Sequence, residues 1–323
     1  MKHAARALLA VGATALIVGC ASGTPQASKP LSKPPSKPVH VIKPVTGLCG
    51  VSKPLDLQHY FGVIDGPPGS TQYNRFMRRS GVRPTLADYF WNFGAKFNPD
   101  ALCYAENHRA MPVIQFNLRH LTAAQVAAGQ GTRYITHLAQ GIKAFALPVV
   151  ISLGHEMNGN WYPWGWHRTP ATTFVAMWRR VHQDFANVRA KNVIWMWTVN
   201  RAVPPATNPG PWWPGSAYVN WVGIDGHSRQ VTDSFGRVFN STIADVRALT
   251  TDPILISETA VVASPQRPAQ LAALFRAVYQ TPGLIGIVYL DMRNVRIDWR
   301  LRDTASINAF SKAVQPYEPA THG

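Results

Sequence analysis

Two of the four glutamates in the chain follow short apolar segments with the character of buried strands. Glu156 lies three residues after the segment 148–153, and Glu258 directly follows the segment 253–257. β-Branched runs without polar alternation are typical of strands buried on both faces of a parallel sheet. Two carboxylic acids that converge from separate strands can cleave a glycosidic bond, because one donates a proton to the leaving oxygen while the other acts as nucleophile or base. The sequence therefore predicts a catalytic carboxyl pair.

Eight apolar segments of this kind alternate with helical patterns. The candidate strands span residues 59–64, 88–93, 112–117, 148–153, 193–199, 219–224, 253–257 and 285–290, and amphipathic helices are predicted over 134–146, 174–188 and 270–279. Eight strands with helical connections predict an α/β fold, a closed (β/α)8 TIM barrel. An open doubly wound sheet is disfavoured because no glycine-rich phosphate loop follows the first strand. The two glutamates then end strands four and seven, on the face where such barrels carry their active sites.

Several motifs surround the two glutamates. In chain order they are Gly154-His155-Glu156-Met157-Asn158-Gly159, Trp161, Trp164-Gly165, Pro214-Gly215, Tyr218-Val219, Val222-Gly223-Ile224-Asp225-Gly226 and Ser257-Glu258. Together they resemble glycoside hydrolase family 26, which consists mostly of retaining β-mannanases on a (β/α)8 barrel, with some β-1,3-xylanases and mixed-linkage glucanases. The resemblance implies an endo-acting glycosidase with Glu156 as acid/base, Glu258 as nucleophile and β-mannan as the default substrate.

The same resemblance and the residue types predict further contacts with a sugar chain. By resemblance, His155 orients the sugar or the nucleophile, and Trp161 contacts the substrate. An indole offers flat apolar area to the C–H face of a pyranose, so Trp164 and Trp213 could extend the platform or pack beneath the loop instead.

Three polar residues are weaker candidates. Asn158 and Asn200 could hydrogen-bond sugar hydroxyls or cap turns. Asp65, at the end of the first strand, could bind a distal sugar or form a structural salt bridge or turn cap.

The chain departs from the family pattern at two positions. His227 stands where the family usually has a tyrosine that hydrogen-bonds the nucleophile, and histidine can titrate near neutral pH. Tyr289 lies in the last strand, near where the family offers a tryptophan to the sugar at the cleavage point. These departures leave the sugar specificity open.

No metal or cofactor is expected. His155-Glu156 is not a zincin motif, because that motif needs a second histidine at position 159, which is glycine. The formal net charge of +16 could suggest nucleic acid. We expect no nucleic-acid partner, because the folded part is poor in lysine clusters and an exported chain meets little nucleic acid. The expected partner is a polysaccharide, bound by a monomer.

The first 48 residues have the composition of an export signal and a tether. Residues 1–20 resemble a lipoprotein signal peptide whose lipobox, Leu16-Ile17-Val18-Gly19-Cys20, would place a lipid anchor on Cys20; the alternative is an ordinary signal peptide with an incidental cysteine. Residues 21–48 are rich in Ser, Pro and Lys, residues 49–315 form the predicted barrel, and residues 316–323 are a tail. The expected location is the bacterial cell membrane, facing the cell wall or exterior.

Two alternatives stay open at this level. Cys49 and Cys103 could form a disulfide or remain buried thiols. The barrel could be a catalytically weak glycan-binding lipoprotein, or a glycosidase that acts on the cell's own envelope glycan. A serine hydrolase is disfavoured because no Gly-x-Ser-x-Gly motif ends a strand.

Overall fold

Eight parallel strands close into a barrel in the computed structural model, which describes residues 45–52, 57–294 and 296–318. The barrel strands are β3 (Tyr60–Ile64), β4 (Leu86–Asn92), β5 (Met111–Asn117), β6 (Val149–Leu153), β7 (Val193–Asn200), β8 (Trp221–Asp225), β9 (Ile254–Thr259) and β10 (Leu284–Leu290). Each strand pairs with the next in sequence, and β10 pairs with β3 to close the barrel. A short antiparallel hairpin, β1 (Val45–Gly47) and β2 (Gly50–Ser52), precedes it.

Helices occupy most of the connections between the strands. They are α1 (Thr71–Ser80), α2 (Pro99–Asn107), α3 (Ala123–Ala127), α4 (Thr132–Phe145), α5 (Ala171–Val188), α6 (Phe235–Arg247), α7 (Arg267–Gln280) and α8 (Thr304–Val314). The connection between β7 and β8 is different, because it contains two short 3-10 turns, Gly210–Trp212 and Ser216–Tyr218, in place of an α-helix. Because β7 and β8 are parallel, this connection is a long loop that leads from the C-terminal end of β7 back to the N-terminal end of β8.

The strands are buried on both faces, as their apolar runs predict. In β6, Val150 packs in the barrel interior with residues such as Met196 and Leu255. Its neighbours Val149 and Ile151 pack outward with the core that the helices cover. This alternation follows from the two-residue repeat of a strand. The barrel therefore has a filled interior and a second apolar layer between sheet and helices.

The predicted fold class and all eight predicted strands are confirmed. The predicted helices correspond to α4, α5 and α7. Strand boundaries differ from prediction by one or two residues, because hydrogen-bond pairing sets the ends of an element and apolar content only approximates them.

The ends of the described chain differ from the predicted divisions. β1 begins at Val45, inside the predicted tether, so regular structure starts before residue 48. At the other end Tyr317 is buried and its hydroxyl donates to the carbonyl oxygen of Phe275 at 2.7 Å, so the predicted tail begins too early. The signal peptide, Cys20, most of the tether and residues 319–323 lie outside the described residues. Among the helices that are described, none has the length and apolar character of a membrane span.

A disulfide joins Cys49, in the turn of the β1–β2 hairpin, to Cys103 in α2. The two Cα atoms are 5.3 Å apart, and the bond closes a loop with a sequence separation of 54. Of the two states that the sequence left open, the structure contains the bonded one. The bond ties the hairpin to the wall of the barrel.

Reduction of this disulfide is expected to lower the free energy of unfolding by about 2–4 kcal/mol, because the cross-link restricts the unfolded chain. The melting temperature in the presence and absence of dithiothreitol measures the effect. A Cys103→Ser variant is the control, since its melting temperature should already be lowered and should not respond to the reductant. Equal melting temperatures for the oxidised and reduced wild-type protein would contradict this prediction.

Candidate active site

The two predicted carboxyl groups lie at the C-terminal end of the barrel. Glu156 follows β6, and its backbone N–H donates to the carbonyl oxygen of Thr198 in β7 at 2.9 Å. Its φ angle of 55° lies in the left-handed region, which is uncommon for a residue other than glycine. Glu258 lies within β9, in register with Asp225 at the end of β8. Two strands that are separated by β7 and β8 in the barrel, β6 and β9, therefore deliver the carboxyl groups to one cavity.

Two side chains donate hydrogen bonds to the carboxyl group of Glu156. Asn200 Nδ2 lies 2.5 Å from Oε1, and Trp161 Nε1 lies 2.6 Å from Oε2. Both bonds favour the charged carboxylate, but burial of the residue and the negative charge of Glu258 oppose them, burial having the larger effect. The result is a pKa raised to about 7. Glu156 can therefore hold a proton near neutral pH and release it.

Glu258 has a more open environment and a histidine neighbour. Its side chain is 23% exposed, whereas Glu156 as a whole is 7% exposed. His227 Nε2 lies 3.2 Å from Glu258 Oε1, within ion-pair distance but outside hydrogen-bond geometry. The His227 ring stacks on Trp299 with ring centroids 5.1 Å apart. The structure thus brings His227 to the predicted nucleophile, where its contact is electrostatic and not a directed hydrogen bond.

A layer of buried polar side chains lies beneath the two glutamates. Ser257 Oγ donates to Asp225 Oδ1 at 2.6 Å, and the pKa of Asp225 is raised by burial and by the charges of Glu156 and Glu258. Gly223 belongs to this layer because a Cβ there would lie 2.5 Å from the hydroxyls of Ser257 and Thr198.

A fourth carboxyl group, that of Asp88 in β4, is fully buried near this layer. It accepts a hydrogen bond from Gln115 Nε2 at 3.3 Å. Its pKa is raised to about 8, chiefly by burial, with a further contribution from Glu258. Neither Asp88 nor Asp225 was predicted as a site residue, although Asp225 lies inside one of the quoted motifs. Four carboxyl groups thus share one region, which favours protonation of the most buried members.

His155 is buried, and its pKa responds to the charge of Glu258. Its Nε2 lies 2.9 Å from the hydroxyl of Tyr162, and burial lowers the pKa of the imidazole to about 4, so the ring is neutral near pH 7. Its Nδ1 has no partner among the described residues. Its carbonyl oxygen accepts from Trp164 Nε1 at 2.7 Å, and the Tyr162 and Trp164 rings stack with centroids 4.6 Å apart. Tyr162 was not predicted, although it lies in the aromatic run that follows Glu156.

The two predicted asparagines differ in position. Asn200 bonds directly to Glu156, as described above. Asn158 is fully buried, and its Nδ2 donates to the carbonyl oxygens of Asn200 and Thr207, both at 2.8 Å. Its Oδ1 accepts from the backbone N–H of Asn200 at 2.8 Å. The predicted sugar contact of Asn158 is thus not met in this structure; its amide instead fixes the strand end that carries Asn200.

Trp161 is 39% exposed and contributes to the lining of two cavities. The first has a volume of about 260 Å³, and its lining includes Glu156, Asn200, His227 and Glu258. The second, of about 600 Å³, is lined by the β5–α3 loop and by residues 161–164. The two cavities therefore share the indole of Trp161.

Two predicted aromatic contacts do not reach this cleft. Tyr289 is fully buried and its hydroxyl bonds to the carbonyl oxygen of Trp299 at 3.3 Å, so it is a core residue. Trp213 packs edge-on against Trp197 with centroids 5.0 Å apart. Trp164 is nearly buried at the edge of the larger cavity, with its N–H committed to His155. The rings of Tyr289, Trp213 and Trp164 are therefore all packed against other residues of the protein.

Asp65 is also buried, and its Oδ1 accepts from Gln72 Nε2 at 2.5 Å. Burial raises its pKa, and the hydrogen bond from Gln72 acts in the opposite direction. Asp291, at the end of β10, accepts from the backbone N–H of Leu301 and lies 3.5 Å from Arg79. Both aspartates therefore have structural partners. Across the described residues, no group of three or more His, Cys, Asp or Glu side chains is arranged to hold a metal.

Substitution of Trp161 by phenylalanine is expected to shift the alkaline limb of the kcat/KM profile to higher pH. The indole N–H stabilises the charged form of Glu156 and lowers its pKa, so loss of this donor raises the pKa and extends the protonated state to higher pH. The pH dependence of kcat/KM measures the shift. Trp166→Phe is the matched control, because Trp166 bonds to the carbonyl oxygen of Pro205 instead. A shift of the Trp161→Phe profile toward lower pH would contradict the conclusion that the indole N–H lowers the pKa of Glu156.

Comparison with known proteins identifies related sequences. The model of Glycosyl hydrolase family 26 matches residues 121–261, which contain both glutamates. Endoglucanase H of Acetivibrio thermocellus is 25% identical over 271 residues, covering 78% of this chain and 29% of that protein. Mannan endo-1,4-beta-mannosidase A and B of Caldalkalibacillus mannanilyticus is 26% identical over 171 residues, covering 46% of this chain and 32% of that protein. The chain thus spans about a third or less of the length of these curated relatives.

Solved structures share the barrel. A family 26 β-mannanase from Bacteroides ovatus superposes with a TM-score of 0.58 at 15% identity, covering 83% of this chain and 95% of that one. The catalytic domain of an endo-β-1,4-mannanase from Bacillus sp. JAMB-750 gives a TM-score of 0.59 at 14% identity, covering 80% and 85%. At these identities the likeness shows the fold. The comparisons therefore show that residues 121–261, less than half of the chain, are similar to glycoside hydrolase family 26, and that the chain has the same barrel fold as solved members of that family.

Proposed function

We propose that the protein is a retaining, endo-acting glycosidase that cleaves β-linked polysaccharide with Glu156 as acid/base and Glu258 as nucleophile. One observation carries the proposal: two carboxyl groups of unlike environment line the same cavity. Glu156 is buried, with a pKa of about 7, while Glu258 is more exposed and next to His227. Carboxyl groups that differ in this way suit the separate roles of proton donor and nucleophile.

In the first step Glu156 donates its proton to the glycosidic oxygen as the bond from that oxygen to the anomeric carbon breaks. The electron pair of the broken bond stays on the leaving oxygen, which departs as a hydroxyl. A carboxylate oxygen of Glu258 forms a bond to the anomeric carbon, which gives a covalent glycosyl-enzyme. Asn200 and Trp161 then stabilise the newly formed carboxylate of Glu156, since both donate to its oxygens.

In the second step a water attacks the anomeric carbon, Glu156 accepts the proton of that water, and Glu258 departs as a carboxylate. The electrostatics support this change of role. The negative charge of Glu258 raises the pKa of Glu156 in the free protein. Ester formation removes that charge, so the pKa of Glu156 falls and its carboxylate form is favoured when a base is needed.

The cleft supports an endo-acting role and the choice of substrate class. Trp161 lines both the cavity that contains the two glutamates and a second, larger cavity, so a polysaccharide chain can occupy both. β-Mannan is the first substrate to test, because a curated relative and several solved structures of the same fold are named as mannanases. We also propose that the chain is exported and anchored by a lipid on Cys20; loss of palmitate labelling in a Cys20→Ala variant tests this anchor.

Hydrolysis of a glycan panel tests the function. The panel contains β-mannan, glucomannan, β-1,3-xylan, mixed-linkage glucan and purified envelope glycan, and new reducing ends report cleavage. Turnover of a β-mannan or glucomannan supports the proposed substrate, whereas turnover of envelope glycan alone would assign the enzyme to the cell's own wall. Binding of a glycan without cleavage of any would contradict the catalytic proposal and leave a glycan-binding protein.

A further inference from the structure

Two arginines line the same cavity as the catalytic carboxyl pair. Arg201 directly follows β7, and Arg229 lies in the loop after β8, two residues beyond His227. Both strands also supply residues that contact the glutamates, namely Asn200 and His227. The two guanidinium groups are therefore placed next to the reacting centre and not on a remote surface.

Neither guanidinium group has a hydrogen-bond or ion-pair partner among the described residues. The cavity also contains Glu156 and Glu258, but the acid whose charge acts on Arg201 is Asp233, and this residue is already engaged. Its Oδ1 lies 3.5 Å from Arg237 Nε, and its Oδ2 accepts from the backbone N–H groups of Arg229 and Gln230 at 2.8 and 3.0 Å. The cavity therefore presents positive charge that the protein itself leaves unpaired.

The two positive charges act on each other. The pKa of Arg201 is lowered, first by partial burial and then by the charge of Arg229, with Asp233 acting in the opposite direction. Arg201 and Arg229 would both be stabilised by an anion placed between them, because each could donate planar, charge-assisted hydrogen bonds to it. A neutral sugar hydroxyl accepts a hydrogen bond but does not relieve the repulsion.

The backbone holds both arginines in position. Arg201 donates its N–H to the carbonyl oxygen of Asp225 and accepts from the N–H of Val203, both at 2.8 Å. The residue before Arg229, Ser228, is buried and donates to the carbonyl oxygen of Ala260 at 2.8 Å. The backbone from which each side chain extends is thus held in place by hydrogen bonds before any ligand binds, which lowers the entropic cost of binding.

We propose that Arg201 and Arg229 bind an anionic substituent of the polysaccharide, a carboxylate or a phosphate, next to the cleavage point. The inference rests on the proposed function, since it names the chemical class of the glycan that the same cleft takes. The preferred substrate is an acidic β-linked glycan, and a neutral mannan is the poorer one.

Binding to three forms of glucomannan tests the inference without the need for turnover. One form is unmodified, one has part of its primary hydroxyls oxidised to carboxylates, and one has the same hydroxyls phosphorylated. The full chain with Glu258→Gln is used in calorimetry, so that the glycan is not consumed. We expect an anionic form to bind about tenfold more tightly than the unmodified one, in line with the strength of charge-assisted hydrogen bonds. The preference is expected to weaken as salt is raised.

Variants of the two arginines test whether the preference for anionic glucomannan comes from their side chains. Arg201→Gln and Arg229→Gln should each remove most of it, whereas Arg201→Lys keeps the charge and should retain part of it. Arg276→Gln is the matched control, because Arg276 is exposed on α7 and its loss changes the net charge equally without changing the preference. Tighter binding of the carboxylated form alone, of the phosphorylated form alone, or of both supports the inference and identifies the substituent.

Two results would overturn the inference. One is equal affinity for all three forms; the other is an equal loss of affinity for the neutral and anionic forms in the arginine variants, which would assign the arginines to sugar hydroxyls. Turnover of the panel by the wild-type protein is recorded separately. A failure of the proposed function appears there as absent cleavage, while a failure of this inference appears as an absent charge preference in binding.

Discussion

Replacement of Glu258 by glutamine is expected to reduce the hydrolysis of every cleaved glycan by at least about 10⁴-fold, because an amide cannot form the covalent intermediate. The loss should appear in kcat, while the affinity for the glycan is largely kept. Initial rates with purified variant measure the effect. The loss of rate should be as large for a substrate with a good leaving group as for one with a poor leaving group, since every substrate needs the nucleophile.

The matched control is Glu106→Gln, which removes a carboxyl group in α2 that does not line the catalytic cavity. It should hydrolyse the same glycan at the wild-type rate. A 2-deoxy-2-fluoro glycoside with a dinitrophenyl leaving group should label the wild-type protein on the peptide that contains Glu258, because fluorine slows both steps while the good leaving group speeds the first. Near wild-type activity in Glu258→Gln, or a label on another residue, would contradict the assignment.

Replacement of Glu156 by alanine is expected to lower kcat on polysaccharide by about 10²–10⁴-fold, the usual contribution of general acid catalysis. The loss should be much smaller in the first step with a dinitrophenyl glycoside, because dinitrophenolate leaves without a proton. Release of the phenol should then show a burst followed by a slow phase, since Glu156 is also the base of the second step. Stopped-flow absorbance measures both phases.

This result would separate the two glutamates. If Glu156→Ala lost the same factor on the polysaccharide and on the dinitrophenyl glycoside, Glu156 would not be the acid. The wild-type pH profile gives an independent check. Because the pKa of Glu156 is raised to about 7 and the protonated form is the active one, kcat/KM should fall as the pH rises through that value.

The architecture and the convergence of the two glutamates on one cavity could be predicted because their signals are local. Unbroken apolar runs such as 148–153 identify strands buried on both faces, and eight of them define the barrel. Glu156 lies three residues after one such run and Glu258 directly follows another, so the topology alone brings them to one face. The missing helix between β7 and β8 was not predicted, since a long loop rich in proline has no periodic signal.

The remaining site could not be predicted because burial depends on tertiary contacts. Asn158 and Asn200 each follow a predicted strand, but their contacts differ. The side chain of Asn158 hydrogen-bonds to backbone groups, whereas that of Asn200 donates a hydrogen bond to Glu156. Tyr289 belongs to the interior because Trp299 covers its hydroxyl. Arg201 and Arg229 are separated by a strand and a long loop, so that only the closed barrel shows that they share a cavity.

The anomeric configuration of the first product tests whether the two glutamates act by double displacement. Proton NMR of the reaction with the best β-linked substrate resolves the new reducing end before mutarotation. We expect the β anomer to appear first and the α anomer to grow in later, because two successive inversions retain the configuration. The α anomer appearing first would show a single displacement by water and would contradict the role of Glu258 as nucleophile.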